Sequence, residues 1–189
     1  SGNYPVFYPT NNGREGLFIW LIAAVQAVLT PSAFSLRLAP ALVGCLTLIS
    51  LPLSAVSLWR YFNSSHKSGS NSVNRETNTI ILIAAFSLLF LATSYWHINF
   101  SRIAFRAILD PFFVSAALGL IALALTHPQR LWIAVLAGLV CAMGLYGYGA
   151  YKFMLFPLTF IIGHAFLTQP QKTWRPMLVI AIAGLMAAS

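Results

Sequence analysis

Acidic residues are almost missing from this chain: Glu15, Glu76 and Asp110 are all it has. Even with 11 lysines and arginines, charged residues reach only 7%. A water-soluble domain covers its surface with roughly 25% charged residues, so that class is excluded. Hydrophobic residues make up 59% of the chain and the mean hydropathy is +0.79, which reads as an integral membrane protein. Cysteine is scarce too. Cys45 and Cys141 both sit inside apolar runs, which speaks against a disulfide framework. Histidines at metal-ligand spacing are missing as well: His97 has no second histidine within reach. The net charge of +8 does not imply a nucleic-acid partner, because the basic residues stand singly between apolar runs and mark membrane borders.

What is present is a series of uncharged apolar runs. They predict an all-α integral membrane fold: a multi-span helical bundle with an interfacial helix near the N-terminus. Spans are expected near 36–60, 77–96, 108–127, 130–148 and 152–168, with another from 174 cut off at 189. Each of the complete runs can hold a helix of crossing length, about 20 residues. The run "GLFIWLIAAVQAVLT" (16–30) is shorter, carries Gln26 and meets Pro31, so it reads as a helix on the membrane surface. The chain opens on Ser1 and closes within an apolar run; the expectation is one transmembrane domain over 1–189, a fragment of a longer protein.

Basic loops then assign the faces. "RYFNSSHKSGSNSVNRE" (60–76), "HPQR" (127–130) and "TQPQKTWRP" (168–176) fall on one side by parity, and the positive-inside bias makes that side cytoplasmic. The opposite face collects Arg14, Glu15, Arg102, Arg106, Asp110 and Lys152. Cations there run against the bias and call for another cause, such as a polar pocket at the membrane surface. In "SRIAFRAILDPFF" (101–113), helical spacing would align Arg102, Arg106 and Asp110 on one face. Asp110 before Pro111 suggests an N-cap and first turn. Arginines at a membrane border can fork around a phosphate; equally, Arg106 can pair with Asp110 while Arg102 snorkels to head groups. Tyr95 and Trp96 read as belt aromatics and His97 as a border residue beside them.

"AILDPFFVSAALGL" (107–120) resembles a segment of the lipid-dependent membrane glycosyltransferases of the GT-C superfamily, in the protein O-mannosyltransferase and lipid A aminoarabinose transferase branches. "NNGREGLFIWL" (11–21), "FSLRLAPALVGCLTL" (34–48) and "GLYGYGAYKFMLFPL" (144–158) resemble other segments of that family in the right order. "EG" (15–16) departs from the paired prolines of the better-known branches.

The resemblance implies transfer of a sugar from a polyprenyl-phosphate donor to an acceptor at the outer or periplasmic face, with membrane lipid as surroundings. It implies substrate-binding roles for Arg14, Arg102, Arg106 and Lys152 toward phosphate or sugar. Asp110 would shape the pocket, and Tyr148 and Tyr151 would stack on sugar. Glu15 would pair with Arg14 or bind metal or acceptor; no cofactor is assigned and a divalent metal is left open. The catalytic acid of the family would lie upstream of residue 1, so the isolated fragment is expected to be inactive. The short loops favour a bacterial inner membrane. A transporter or flippase, or a non-catalytic scaffold, are the competing readings; the former calls for ionisable groups near mid-span.

Overall fold

The computed structural model describes residues 7–8, 14–63 and 72–188. A two-residue ladder opens the chain, β1 (Phe7–Tyr8) antiparallel to β2 (Arg14–Glu15). Among the described residues eight α-helices follow: α1 (Leu17–Val28), α2 (Ala33–Asn63), α3 (Ser72–Thr93), α4 (Tyr95–Arg102), α5 (Leu109–Thr126), α6 (Leu131–Leu145), α7 (Leu155–Thr168) and α8 (Pro170–Ala188). Two 3-10 turns, Arg106–Ile108 and Gly149–Met154, lead into α5 and α7. This is an all-α membrane bundle.

Among the described residues four stretches are long and apolar enough to cross a bilayer: Ala33–Asn63, Arg75–Thr93, Arg106–Thr126 and Gly149–Thr168. With its 12 residues, α1 is about 18 Å long and cannot cross a hydrocarbon core of about 30 Å. The run expected as a span at 130–148 gives a helix of 15 residues, about 22 Å. It stops at Leu145 because the chain turns there, with the Gly147 N–H donating back to the Gly144 carbonyl at 3.0 Å. The run expected at 77–96 also ends early. At Ser94 the backbone is extended (ψ 116°), and α4 starts in a new direction.

Alanines are buried at several helix contacts, beside larger core residues such as Ile108, Ile121 and Phe113, while many large apolar side chains face outward. Ala39, Ala117, Ala122, Ala134, Ala137 and Ala165 have no exposure, while Phe90 is 76% and Phe156 73% exposed. Lipid is as apolar as these rings, so they gain little from burial; helices associate instead through close backbone packing. Two glycines make this possible. A Cβ on Gly138 of α6 would come within 2.5 Å of the Ile180 carbonyl oxygen of α8. One on Gly119 of α5 would meet Ser54 Cα of α2 at 2.9 Å. Polar bonds tie the same helices: Ser50 Oγ and Ser115 Oγ lie 2.6 Å apart between α2 and α5.

Short connections make successive spans antiparallel, and cross-links fix which ends meet. Tyr146 Oη, just past α6, donates to the Ala188 carbonyl at 2.8 Å, joining the C-terminal ends of α6 and α8. Tyr61 Oη and His164 Nδ1 are 3.2 Å apart, joining the ends of α2 and α7. One end of the bundle, here the upper, therefore holds the start of α2, all of α4, both 3-10 turns and the last turns of α6 and α8. The lower end holds the last turn of α2 and residues 127–130 and 168–175.

Candidate functional site

The upper end gathers most of the residues expected to form the site, though not by the expected geometry. Arg102, Arg106 and Asp110 do not share one helical face. Arg102 is the last residue of α4; Ala104 then takes a left-handed backbone (φ 53°), Phe105 is extended, and Arg106 opens a 3-10 turn. A non-glycine residue at positive φ breaks any helix, so the alignment is lost between Arg102 and Arg106. Nor is Asp110 an N-cap. That position is Ile108, and Asp110 and Pro111 lie in the first turn of α5, because the preceding 3-10 turn has already wound the chain. A carboxylate in that turn still faces the positive end of the helix dipole.

The break turns Arg106 inward. Its guanidinium lies over the Tyr148 ring, 5.1 Å from the centroid, while Arg102 is exposed. Phe105 packs against the same Tyr148 ring (6.2 Å, edge-on). Behind it runs a row of rings: Phe100 to Phe105 at 5.0 Å, Trp96 to Phe100 at 5.6 Å, Tyr95 to Trp96 at 5.8 Å. The row starts at the exposed Tyr95 and Trp96 and ends at the half-buried Arg106. The i, i+4 spacing of Trp96 and Phe100 is legible in the sequence, but Phe105 joins them only through the corner at Ala104.

Asp110 is half-buried and is an electrostatic neighbour of Tyr151. Tyr151 itself cannot stack on a sugar: it is 4% exposed, and its ring occupies the space a Cβ on Gly144 would need. It is a wedge between α6 and the turn before α7. Tyr148 is half-buried with one face taken by Arg106. Lys152 is exposed on that same turn. The side chains of Arg14 and Glu15 lie outside the described residues; their backbone forms β2, one residue before α1.

His97 is not a border residue. It is 9% exposed, with Nε2 at 3.2 Å from the Gly44 carbonyl, so it pins α4 to α2. Burial holds its pKa below the ordinary value of 6.5, and the Gly44 carbonyl offsets part of that by favouring a protonated ring. Gly44 is needed here: a Cβ would approach Ser101 Cβ at 3.0 Å. Among the described residues no group of three or more His, Cys, Asp or Glu side chains could hold a metal ion.

The arrangement can do one kind of chemistry well. A guanidinium held on an aromatic face, next to an exposed lysine-bearing turn at a membrane border, can receive an anionic group and stack against its apolar or sugar part. Compared with protein-family models, curated proteins and solved structures, the chain matches none.

Proposed function

We propose that this chain is the membrane portion of a GT-C-type glycosyltransferase, moving a sugar from a polyprenyl-phosphate donor to an acceptor at the outer face of a bacterial inner membrane. The observation that carries the reading is Arg106 seated on Tyr148 at the upper end, beside Asp110 and the turn bearing Lys152. When the glycosyl–phosphate bond breaks, negative charge grows on the departing lipid phosphate. A preorganised cation at the membrane border stabilises that charge more than water would. Arg106 suits this task best, since its ring contact fixes its direction before substrate arrives. Lys152 and Arg102, both exposed, add to the local positive potential and attract the donor head group. The row Tyr95–Trp96–Phe100–Phe105 offers an apolar edge along which an isoprenoid tail can lie, and α1 would rest on the membrane surface beside it.

The transporter alternative asks for ionisable groups at mid-span. The arginines, lysines and acids of the described spans all stand near helix ends.

The test is sugar transfer by the full-length protein from a polyprenyl-phosphate donor. Arg106→Ala should lower kcat by about 10²-fold, the scale of losing one charge-stabilising donor. Lys152→Ala and Arg102→Ala should act mainly on KM. Full activity in all three variants would overturn the reading.

A further inference from the structure

The lower end of the bundle carries a second cationic feature, unrelated to the site above and independent of its interpretation. A cleft of about 250 Å³ opens between α6 and α8, lined by Gln129, Leu131, Gln171, Lys172, Trp174 and Arg175, with Pro128 at its edge. Arg175 lies over the Trp174 ring, 5.4 Å from its centroid. Arg130 stands between two lining residues and is exposed.

Three features separate this cleft from the general excess of basic residues on that face. First, its cations converge on a cavity, with two carboxamides able to donate hydrogen bonds beside them. Second, among the described side chains no acid lines the cleft. Asp110 belongs to the opposite end, and Glu76 is on α3, which packs on α2 and α4. Third, Leu131 is the first residue of α6, and no side chain caps that helix start, so the positive end of its dipole adds to the field.

We infer that this cleft binds a phosphate group, carried by an anionic lipid head group of the adjoining leaflet or present as free phosphate. Arg175 supplies a planar fork matched to phosphate oxygens, and its stacking on Trp174 holds the fork in place. Lys172 supplies a point charge, and Gln129 and Gln171 supply neutral donors. Basic pockets between helices on the cytoplasmic side recognise anionic head groups by this chemistry. The indole of Trp174, 53% exposed, suits the border between acyl chains and water.

The experiment uses the protein in lipid nanodiscs of phosphatidylcholine, with or without phosphatidylglycerol, and reads retained lipid by native mass spectrometry. In parallel, inorganic phosphate is titrated against thermal unfolding in phosphatidylcholine alone. The wild type should retain phosphatidylglycerol selectively, and Lys172→Gln/Arg175→Gln should weaken that retention about 30-fold, from two surface charges. Arg60→Gln/Arg75→Gln, on the same face outside the cleft, should retain it as the wild type does. Protection by inorganic phosphate alone, lost in the cleft variant, assigns the site to free phosphate. Equal loss in both double variants, or no preference for either ligand, overturns the inference. Should the cleft variant fail to insert, the wild type still decides: retention that high salt does not reduce sinks the proposal.

Discussion

At the scale of single residues, two side chains have consequences that can be separated from packing. Tyr148 meets Arg106 through its ring face. Tyr148→Phe should therefore keep transfer activity within about twofold, whereas Tyr148→Ala should lose about 10-fold, since a cation–π contact is worth about 1 kcal/mol or more when partly desolvated. Steady-state kinetics on both variants checks this; equal losses would assign the role to the hydroxyl instead. His97 makes a pH prediction. Its pKa in the folded state lies below the ordinary 6.5, so the unfolded chain binds a proton more readily. Its contribution is then fully present above 6.5 and is lost as the pH falls from there through the folded-state value. Thermal unfolding from pH 7.5 to 5 should show stability falling on the acid side, and His97→Gln should flatten that slope by comparison with the wild type. An unchanged slope would place the titration on another histidine.

At the scale of elements, the corner between α4 and α5 explains what the sequence could and could not reveal. Hydropathy located the runs that became α2, α3, α5 and α7, because lipid demands long uninterrupted apolar segments and that demand is written one residue at a time. The corner had no such sign. Left-handed positions normally carry glycine or asparagine, yet here Ala104 sits at φ 53°, so "SRIAFRAILD" looked like one continuous helix. Arg106 meets a ring that belongs to the start of the turn before α7, a tertiary contact that no spacing within 101–113 encodes. Tyr151 failed as a stacking residue for a related reason: only the structure reveals that Gly144 leaves room for its ring. The strain at Ala104 is testable. Ala104→Gly should stabilise the protein by about 1 kcal/mol, seen as a raised midpoint of thermal unfolding in detergent, and a lowered midpoint would refute the strained corner. Gly138→Leu should do the opposite, costing about 1–3 kcal/mol by forcing α6 from α8.

At the scale of the whole molecule, function depends on which groups share a leaflet. The alternation of spans brings Arg102, Arg106, Asp110 and Lys152 to one end and Arg130, Lys172 and Arg175 to the other, with the Tyr146–Ala188 and Tyr61–His164 bonds fixing the pairing of ends. In the proposed orientation the lower end faces the cytoplasm, the side that the positive-inside bias favours because translocating lysine and arginine is disfavoured during insertion. The cations left on the upper face are then those held there against the bias, which is why the proposed reaction belongs to them. This can be checked without any assay of activity. In a background carrying Cys45→Ser and Cys141→Ser, single replacements Arg102→Cys, Lys152→Cys, Arg130→Cys and Lys172→Cys each place one thiol at a loop. All four positions are exposed and lie at helix ends or loops, where a membrane-impermeant maleimide can report sidedness. Intact cells with a permeable outer barrier should label positions 102 and 152 and spare 130 and 172, which react only after lysis. Labelling of 102 without 152 would mean that α5 and the shorter α6 do not return the chain to the same side, and the cationic end would no longer lie beneath one leaflet where a single lipid phosphate could reach it.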